Sequence, residues 1–363
     1  MKNKQIALGL MSGTSCDGLT VAAVRLQPFE VLAFENYAYT PALQKRLLHA
    51  GQLRAPQLSS LHFELGKLYA QKTKLFLKKY HLSAREILCI GMHGQTVYHG
   101  PNDTQPNTLQ IAEPSFLAEA IGCPVVSHFR QRDIVLGGQG APLMPFFDAF
   151  IFGKGGPKIL LNLGGIANLS LVGKNIETFG FDCGPANTLT DLACQKYLGI
   201  SFDKNGARAA QGTADKKLIS RLLKQKIFRQ KPPKSLDKNE FGAAYLEKHF
   251  SAFAPADINN LLATLTYFTA AAVAAAIEKF IPRTQQKEII VSGGGAFNKT
   301  LLENIRTLTG LPVVTSDSYK IPAQAKEAAA FALFAARAVQ KKSNHCPHAT
   351  GARKQTILGQ ITV

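Results

Sequence analysis

Four separated glycine-rich turns constrain this chain more than any other feature: Gly9-Leu-Met-Ser-Gly-Thr-Ser-Cys-Asp-Gly18, Leu163-Gly-Gly-Ile-Ala-Asn168, Gly180-Phe-Asp-Cys-Gly-Pro-Ala-Asn187 and Ser292-Gly-Gly-Gly-Ala-Phe-Asn298. Each follows or interrupts an apolar, strand-like run. With no Cβ in the way, backbone N–H groups in such turns can point at an anion, so several in one chain suggest a polyphosphate held from more than one side. Two of the turns carry an aspartate, Asp17 and Asp182. A carboxylate beside a phosphate repels it unless it serves a metal or a proton transfer, which makes phosphoryl transfer the first expectation.

The chain has 363 residues and 46% hydrophobic content, enough for two cores. The apolar run Ile6 to Met11 behind Met1-Lys-Asn-Lys-Gln is too short for a signal peptide, so the cytoplasm is expected. The longest apolar stretch, Leu261 to Ile277, is alanine-rich and carries Thr264, Thr266 and Thr269, which suits a buried interdomain helix better than a membrane span. Six cysteines at 16, 89, 123, 183, 194 and 346 show no C-x-x-C spacing and read as reduced thiols. His345-Cys-Pro-His348 is a short, weak candidate for a metal.

The formal net charge is +18, and Lys216 to Lys238 holds nine basic residues against the single acid Asp237. Apart from Phe228 that run lacks interleaved aromatics, and Leu218 to Ile227 has helix-spaced apolar residues. Its lysines are therefore expected on a solvated face and not on nucleic acid. A basic surface would draw in anionic substrates such as ATP or a carboxylated sugar.

Gln5 to Leu26 reads as strand, turn, strand, and Lys158 to Val172 repeats the device. A hairpin near the start of each half suggests two related lobes facing each other across a cleft. Helices are expected over Pro41 to His49, Gln57 to Tyr80, Pro114 to Ile121, Asn298 to Leu308 and Ala323 to Val339, the last packed with small residues as near a domain crossing. Strands are expected over Ile87 to Gly91, Pro124 to Ser127 and Glu288 to Ser292. Met92 to Pro101 reads as a polar loop at a strand end, a usual site pattern in open α/β sheets.

No G-x-x-x-x-G-K-[ST] and no G-x-G-x-x-G after a strand occurs, so P-loop and dinucleotide folds fall away. Nucleotide binding by hairpin turns resembles the actin, Hsp70 and sugar-kinase superfamily. Within it, six ordered segments look like the anhydro-N-acetylmuramic acid kinase family: residues 9–18, His93-Gly-Gln-Thr-Val-Tyr-His-Gly-Pro101, Gly137-Gly-Gln-Gly-Ala-Pro142, 161–168, 181–187 and Lys326-Glu-Ala-Ala-Ala-Phe-Ala332. The resemblance spans nearly the whole chain. It implies an α/β fold of two actin-like (ribonuclease H-like) lobes around an ATP cleft, with 1–128 plus 345–363 as the first lobe and 129–344 as the second. The C-terminal segment would return to the first lobe as a strand over Thr356 to Leu358. The implied activity is ATP-dependent opening of 1,6-anhydro-N-acetylmuramic acid to N-acetylmuramic acid 6-phosphate, in cell-wall recycling; the rival readings are another kinase of that superfamily acting on a different sugar or carboxylic acid, and a non-catalytic nucleotide-gated clamp. The implied partners are a small-molecule sugar, ATP and Mg²⁺, with no nucleic acid and no membrane; a homodimer is left open.

Opening the anhydro bridge needs a water, a base for its proton, and capture of O6 by the γ-phosphoryl group. Asp182 matches the family's catalytic aspartate and is the candidate base; the alternative is that it caps the helix beginning near Pro185. Asp17 could hold Mg²⁺ or brace its turn, and Asp182 is the second candidate metal ligand. The nucleotide set is Ser12, Gly13, Thr14, Ser15, Cys16, Asp17, Gly18, Leu19 and Thr20 on one side and Asn162, Gly164, Gly165, Gly293, Gly294 and Asn298 on the other. On the sugar side stand Gln95, Thr96, Arg130, Asp133, Asn187 and Glu327, because a lactyl carboxylate wants an arginine and hydroxyls want amides and hydroxyls. Spacing does not separate Arg130 from Arg132, and Glu327 is equally a surface carboxylate. His93 reads as a loop histidine orienting Gln95.

The sequence departs from the family's pattern three times. Cys183 stands where a threonine is usual, Ala186 where a glycine is usual, and Thr20 where an acid is common. The first removes a hydroxyl beside the candidate base. The second adds a Cβ to a tight turn.

Overall fold

The computed structural model describes residues 5–363 except 233, 235, 237 and 254–256; the four residues ahead of Gln5, and Asp237 of the basic run, therefore lie outside the described residues. The chain forms two compact units, one running up to Phe147 and resuming over Lys320–Val363, the other Asp148–Tyr319. The boundaries expected after 128 and before 345 shift accordingly, and residues 129–147 and 320–344 pack with the first unit.

In the first unit β1 (Ile6–Met11), β2 (Gly18–Leu26) and β3 (Phe29–Ala38) form an antiparallel meander. β4 (Ile87–Met92) adds parallel to β1 and β7 (Val125–Ser127) parallel to β4. The side chains of β1 alternate between two covered faces, as a strand's two-residue period requires. Leu8 and Leu10 join a core with Leu61, Leu65, Tyr69 and Phe76 of the helix Ala55–Lys79, whose apolar residues recur at helical spacing. On the other face the helix Lys326–Val339 packs on β1, β2 and β4. There the backbones nearly touch: a Cβ built on Gly9 would lie 1.7 Å from Ala328 O, and one on Gly91 2.0 Å from Phe331 O. The small-residue helix thus serves a sheet face inside the first unit, where a domain crossing was expected.

The second unit repeats the plan. β8 (Lys158–Leu163), β9 (Ile166–Val172) and β10 (Phe179–Pro185) form the meander, and β11 (Ile289–Ser292) and β12 (Val313–Thr315) extend it in parallel. Both sheets carry the strand order 3-2-1-4-5 by position within the unit. That shared order is the actin-like, ribonuclease H-like topology expected from the hairpins.

The helix Ile258–Phe280 is long and apolar enough to span a bilayer, but it packs on β10 and on the helices Asn187–Leu198 and Lys299–Thr309, all within the second unit. Its fully buried Leu261, Leu262, Leu265, Phe268, Val273 and Ile277 would stabilise this core by about 1.5–3 kcal/mol each, so it is a core helix of the second unit.

Two further expectations change and one holds. Residues 92–101 are not a loop: β5 (Gln95–Gly100) pairs antiparallel with β6 (Asn107–Ile111), because Thr96, Val97 and Tyr98 are strand formers that glycine and histidine neighbours concealed. The returning C-terminal strand is β13 (Gln360–Thr362), antiparallel to β7, and not 356–358. The basic run breaks into helices Lys216–Leu222 and Lys226–Arg229; Leu218, Ile219 and Leu222 are buried and Lys216, Lys217, Lys224 and Arg221 stay on the solvated side, as expected.

Candidate active site

In the first unit the turn between β1 and β2 is built from below by buried side chains. Gln95 is fully buried, accepts from Ser12 Oγ at 2.6 Å and donates through Nε2 to Gly13 O at 3.1 Å and Thr96 O at 3.3 Å. Tyr39 Oη donates to Ser12 Oγ at 2.9 Å and lies 3.0 Å from Tyr69 Oη. Burial pushes both phenols up, Tyr69 to about 12, so they remain neutral hydroxyls. The whole network holds Ser12 and Gly13 in place, and Gln95, expected on the sugar, is consumed by the turn. Neither tyrosine was visible in the sequence motifs, since Tyr39 follows β3 and Tyr69 lies on the helix Ala55–Lys79.

Above that floor Thr14, Ser15 and Asp17 are exposed, while Cys16 is buried with φ +54° and its N–H donates to Gly13 O. Leu19 is buried in the core and contributes packing, not a polar contact. Gly18 is required by the sheet: a Cβ there would meet Tyr37 O at 2.5 Å. Thr20 Oγ1 donates to Asn36 Oδ1 at 2.7 Å, so the hydroxyl that replaces the usual acid is tied to β3.

His93 does not orient Gln95. Its Nδ1 lies 2.9 Å from Gly94 O and its Nε2 2.9 Å from Arg130 Nε, which assigns the proton to Nδ1 and the acceptor role to Nε2. Burial, then the Arg130 charge, holds this imidazole well below the usual histidine range. Arg130 also donates through Nη1 to Gly140 O at 2.7 Å, whereas exposed Arg132 donates to Ile357 O at 2.9 Å. The two arginines are thereby separated. Glu327, half-buried at the start of its helix, has a carboxyl raised by desolvation and opposed by the charges of Arg130 and Lys326. Thr96 is half-buried on β5, and its hydroxyl accepts a long contact from Gln110 Nε2 at 3.4 Å.

Asp133 is fully buried, and its oxygens are taken by protein groups: Gly140 N donates to Oδ2 at 2.6 Å, Thr350 Oγ1 to Oδ1 at 2.6 Å and His345 Nε2 to Oδ1 at 2.5 Å. Its expected contact with a sugar hydroxyl gives way to that structural pairing. The same geometry removes the metal reading of residues 345–348, and no cluster of three or more His, Cys, Asp or Glu occurs among the described residues.

In the second unit the turn Gly164-Gly165 is clamped to the start of the helix Asn187–Leu198. Ala186 N and Asn187 N donate to Gly165 O and Gly164 O at 2.9 and 3.0 Å, and Asn187 Nδ2 donates to Leu163 O at 3.0 Å. Asn187 therefore braces the glycine turns, where a sugar contact was expected. Gly293 closes on the same place with φ +82°, and a Cβ on it would lie 2.6 Å from Asn162 Oδ1. Asn162 sits between Asn168 and Ser292 across the sheet. Gly294 is open, with Asn187 Nδ2 the nearest atom at 3.5 Å from such a Cβ. Asn298 caps the helix Lys299–Thr309 by accepting from Leu301 N at 2.9 Å. These residues converge, but Asn187 spends its Nδ2 and Asn298 its Oδ1 on the scaffold.

Asp182 lies on β10 at an irregularity in its pairing with β9, next to Cys183. Its N–H donates to Lys234 O at 2.9 Å and its Oδ2 accepts from Leu236 N at 2.8 Å. The helix after it begins at Asn187 with Ala186 as N-cap and no side-chain cap bond, so Asp182 is not that helix's cap. Ala186 has φ −114° and ψ −103°, so its φ is not in the left-handed range. Cys183 is buried and desolvation raises its thiol, so it packs as a small neutral group. Lys234, buried and donating to Ile227 O at 3.2 Å, has its ammonium pulled down by desolvation, opposed by Cys183 and Asp182. The charge run in the sequence gave no sign that one of its lysines is internal.

The sequence model described as anhydro-N-acetylmuramic acid kinase matches residues 5–363. Curated proteins of that name include one from Caldanaerobacter subterraneus, 35% identical over 100% of this chain and 98% of its own. Another, from Paraburkholderia xenovorans, is 38% identical over 98% and 97%. Among solved structures, component A of the (R)-2-hydroxyglutaryl-CoA dehydratase of Acidaminococcus fermentans aligns at 13% identity over 93% of this chain and 99% of its own, with a TM-score of 0.47. Full-length matches at this identity settle membership, and the chain belongs to the anhydro-N-acetylmuramic acid kinase family.

Proposed function

We propose that this kinase uses Asp182 as the base that activates water on 1,6-anhydro-N-acetylmuramic acid. Asp182 takes a proton from water as its oxygen attacks the anomeric carbon; the bond from that carbon to O6 breaks, and O6 takes the γ-phosphoryl group of ATP. The balance is anhydro sugar, ATP and water giving N-acetylmuramic acid 6-phosphate, ADP and the proton that Asp182 then releases. The observation that carries this reading is the hold on Asp182: its backbone N–H donates to Lys234 O, one carboxylate oxygen accepts from Leu236 N, and it does not cap the helix Asn187–Leu198. A base must be placed before it can act.

Arg130 is the partner for the lactyl carboxylate, with Thr96 and Glu327 toward the sugar. Ser12 to Ser15 with Gly164, Gly165, Gly293 and Gly294 offer backbone N–H groups to ATP phosphates. Mg²⁺ neutralises phosphoryl charge when bound. The exposed carboxylate of Asp17, on the turn itself, suits an ion that keeps several waters and takes one or two carboxylates alongside phosphate oxygens. We place the reaction in the cytoplasm, where ATP is available, and in cell-wall recycling.

Two variants and one isotope test this. Asp182→Asn keeps the volume and the acceptor for Leu236 N, so folding and ATP affinity should persist while turnover falls by about 10²- to 10⁴-fold. Asp182→Ala loses the acceptor and some stability as well. In ¹⁸O-labelled water the label should enter the anomeric hydroxyl, scored early, and not the phosphate. A fully active Asn variant ends the base assignment, and label in the phosphate ends the ring-opening step.

A further inference from the structure

Three separate segments of the chain meet at one buried carboxylate. Asp133 comes from the segment Arg130-Gln-Arg-Asp133, Gly140 from the glycine loop 137–142, and His345 and Thr350 from the C-terminal segment. The Gly140 peptide is gripped on both sides: its N–H donates to Asp133 Oδ2 at 2.6 Å, and its carbonyl accepts from Arg130 Nη1 at 2.7 Å. The far oxygen of Asp133 is itself fixed by Thr350 Oγ1 and His345 Nε2 at 2.6 and 2.5 Å, all three residues being buried. The loop is pinned along its length, since Gly138 N donates to Asp133 O at 3.0 Å and Gln139 N to Thr350 O at 2.8 Å. It is also packed without slack: a Cβ on Gly138 would lie 2.3 Å from Asp133 Oδ2.

We propose that Asp133, with Thr350 and His345, is a positioning cluster for Arg130: it fixes the Gly140 carbonyl that aims the guanidinium, and so sets affinity for the substrate's carboxylate without touching it. The inference rests on the reading of Arg130 as the carboxylate partner. A planar guanidinium binds a carboxylate well only when its plane is set in advance, and side chains free to swing lose that advantage. Two of the contacts that set the plane of Arg130 are His93 Nε2 on Nε and Gly140 O on Nη1. The first is a neighbour in the same site. The second is only as rigid as the buried carboxylate behind it.

The experiment compares the anhydro sugar acid with its carboxamide, equal in size and uncharged. KM for each sugar, KM for ATP, kcat and thermal stability are measured for the full chain, Arg130→Gln, Thr350→Val, Asp133→Asn and the double variant R130Q/T350V. Thr350→Val removes one hydrogen bond to a charged group and is expected to raise KM for the acid by about tenfold. KM for the amide, KM for ATP and kcat should stay in place. The loss should vanish in the Arg130→Gln background, because coupling is confined to residues that act through one another. Asp133→Asn should do the same more strongly, and if it fails to fold Thr350→Val alone carries the test. If Thr350→Val weakens acid and amide equally, or leaves both unchanged while Arg130→Gln abolishes the preference for the acid, the positioning cluster is overturned and the Arg130 reading stands. If Arg130→Gln leaves that preference intact, the Arg130 reading falls and takes the cluster with it.

Discussion

Neutral His93 gives its Nδ1 proton to Gly94 O and accepts from Arg130 through Nε2, so charging it would break one bond and set two cations side by side. Its burial, with the Arg130 charge, depresses its pKa below that of an unfolded histidine. As pH falls through the ordinary histidine range, the unfolded chain binds a proton that the folded chain refuses. Stability is therefore full above about pH 6.5 and declines below it, by up to about 1.4 kcal/mol per pH unit from this one group. His128 and His249 are depressed in the same direction and add to the slope. His93→Gln cannot titrate, so unfolding free energies measured from pH 5 to 8 should show a shallower acid decline in that variant. Equal slopes in the two proteins would show that His93 is not the group responsible. The residue motif His93-Gly-Gln95 was legible, but not its wiring: the partner of His93 lies 37 positions away, on Arg130.

At the scale of elements, the hairpins, the long helices and the parallel strands after them were readable because hydrophobic period and glycine turns are local signals. What escaped depends on contacts between distant segments. Gly9 opens the first glycine motif and reads as part of a phosphate turn, yet it lies inside β1 with the backbone of the helix Lys326–Val339 against it. Its small size is a packing requirement, shared with Gly91 on β4. The alanines of that helix answer the same requirement from the other side. A methyl at position 9 would meet a main-chain oxygen, and no side-chain change at Ala328 can withdraw that atom. Gly9→Ala should therefore destabilise the protein at or above the upper end of the ~1–3 kcal/mol usual for overpacking, read as a lower denaturant midpoint. A stability unchanged within about 0.5 kcal/mol would mean that the helix stands off the sheet.

For the whole molecule, the order of segments along the chain decides which parts stand or fall together. The first unit is discontinuous: residues 320–363 return to it after the second unit has been completed. The C-terminal stretch supplies β13 to the edge of β7, the buried side chains Ala349 and Leu358, and the two groups that hold Asp133. Asn344 ties it down further, accepting from Leu358 N at 2.7 Å and donating to Leu358 O at 3.0 Å. Stopping the chain after Ser343 removes all of these. Burial of Leu358 alone is worth about 1.5–3 kcal/mol, and stripping Asp133 Oδ1 of its His345 and Thr350 donors, while Gly140 N still holds Oδ2, costs about as much again. The loss should be local, because β8 to β12 draw no ladder bonds from the C-terminal stretch. Hydrogen exchange on the shortened chain should then show β7, β4 and the 137–142 loop losing protection while β8, β9 and β11 keep theirs. Uniform loss across both sheets would mean that the units unfold as one, and loss beginning in the second sheet would contradict the assignment of 320–363 to the first.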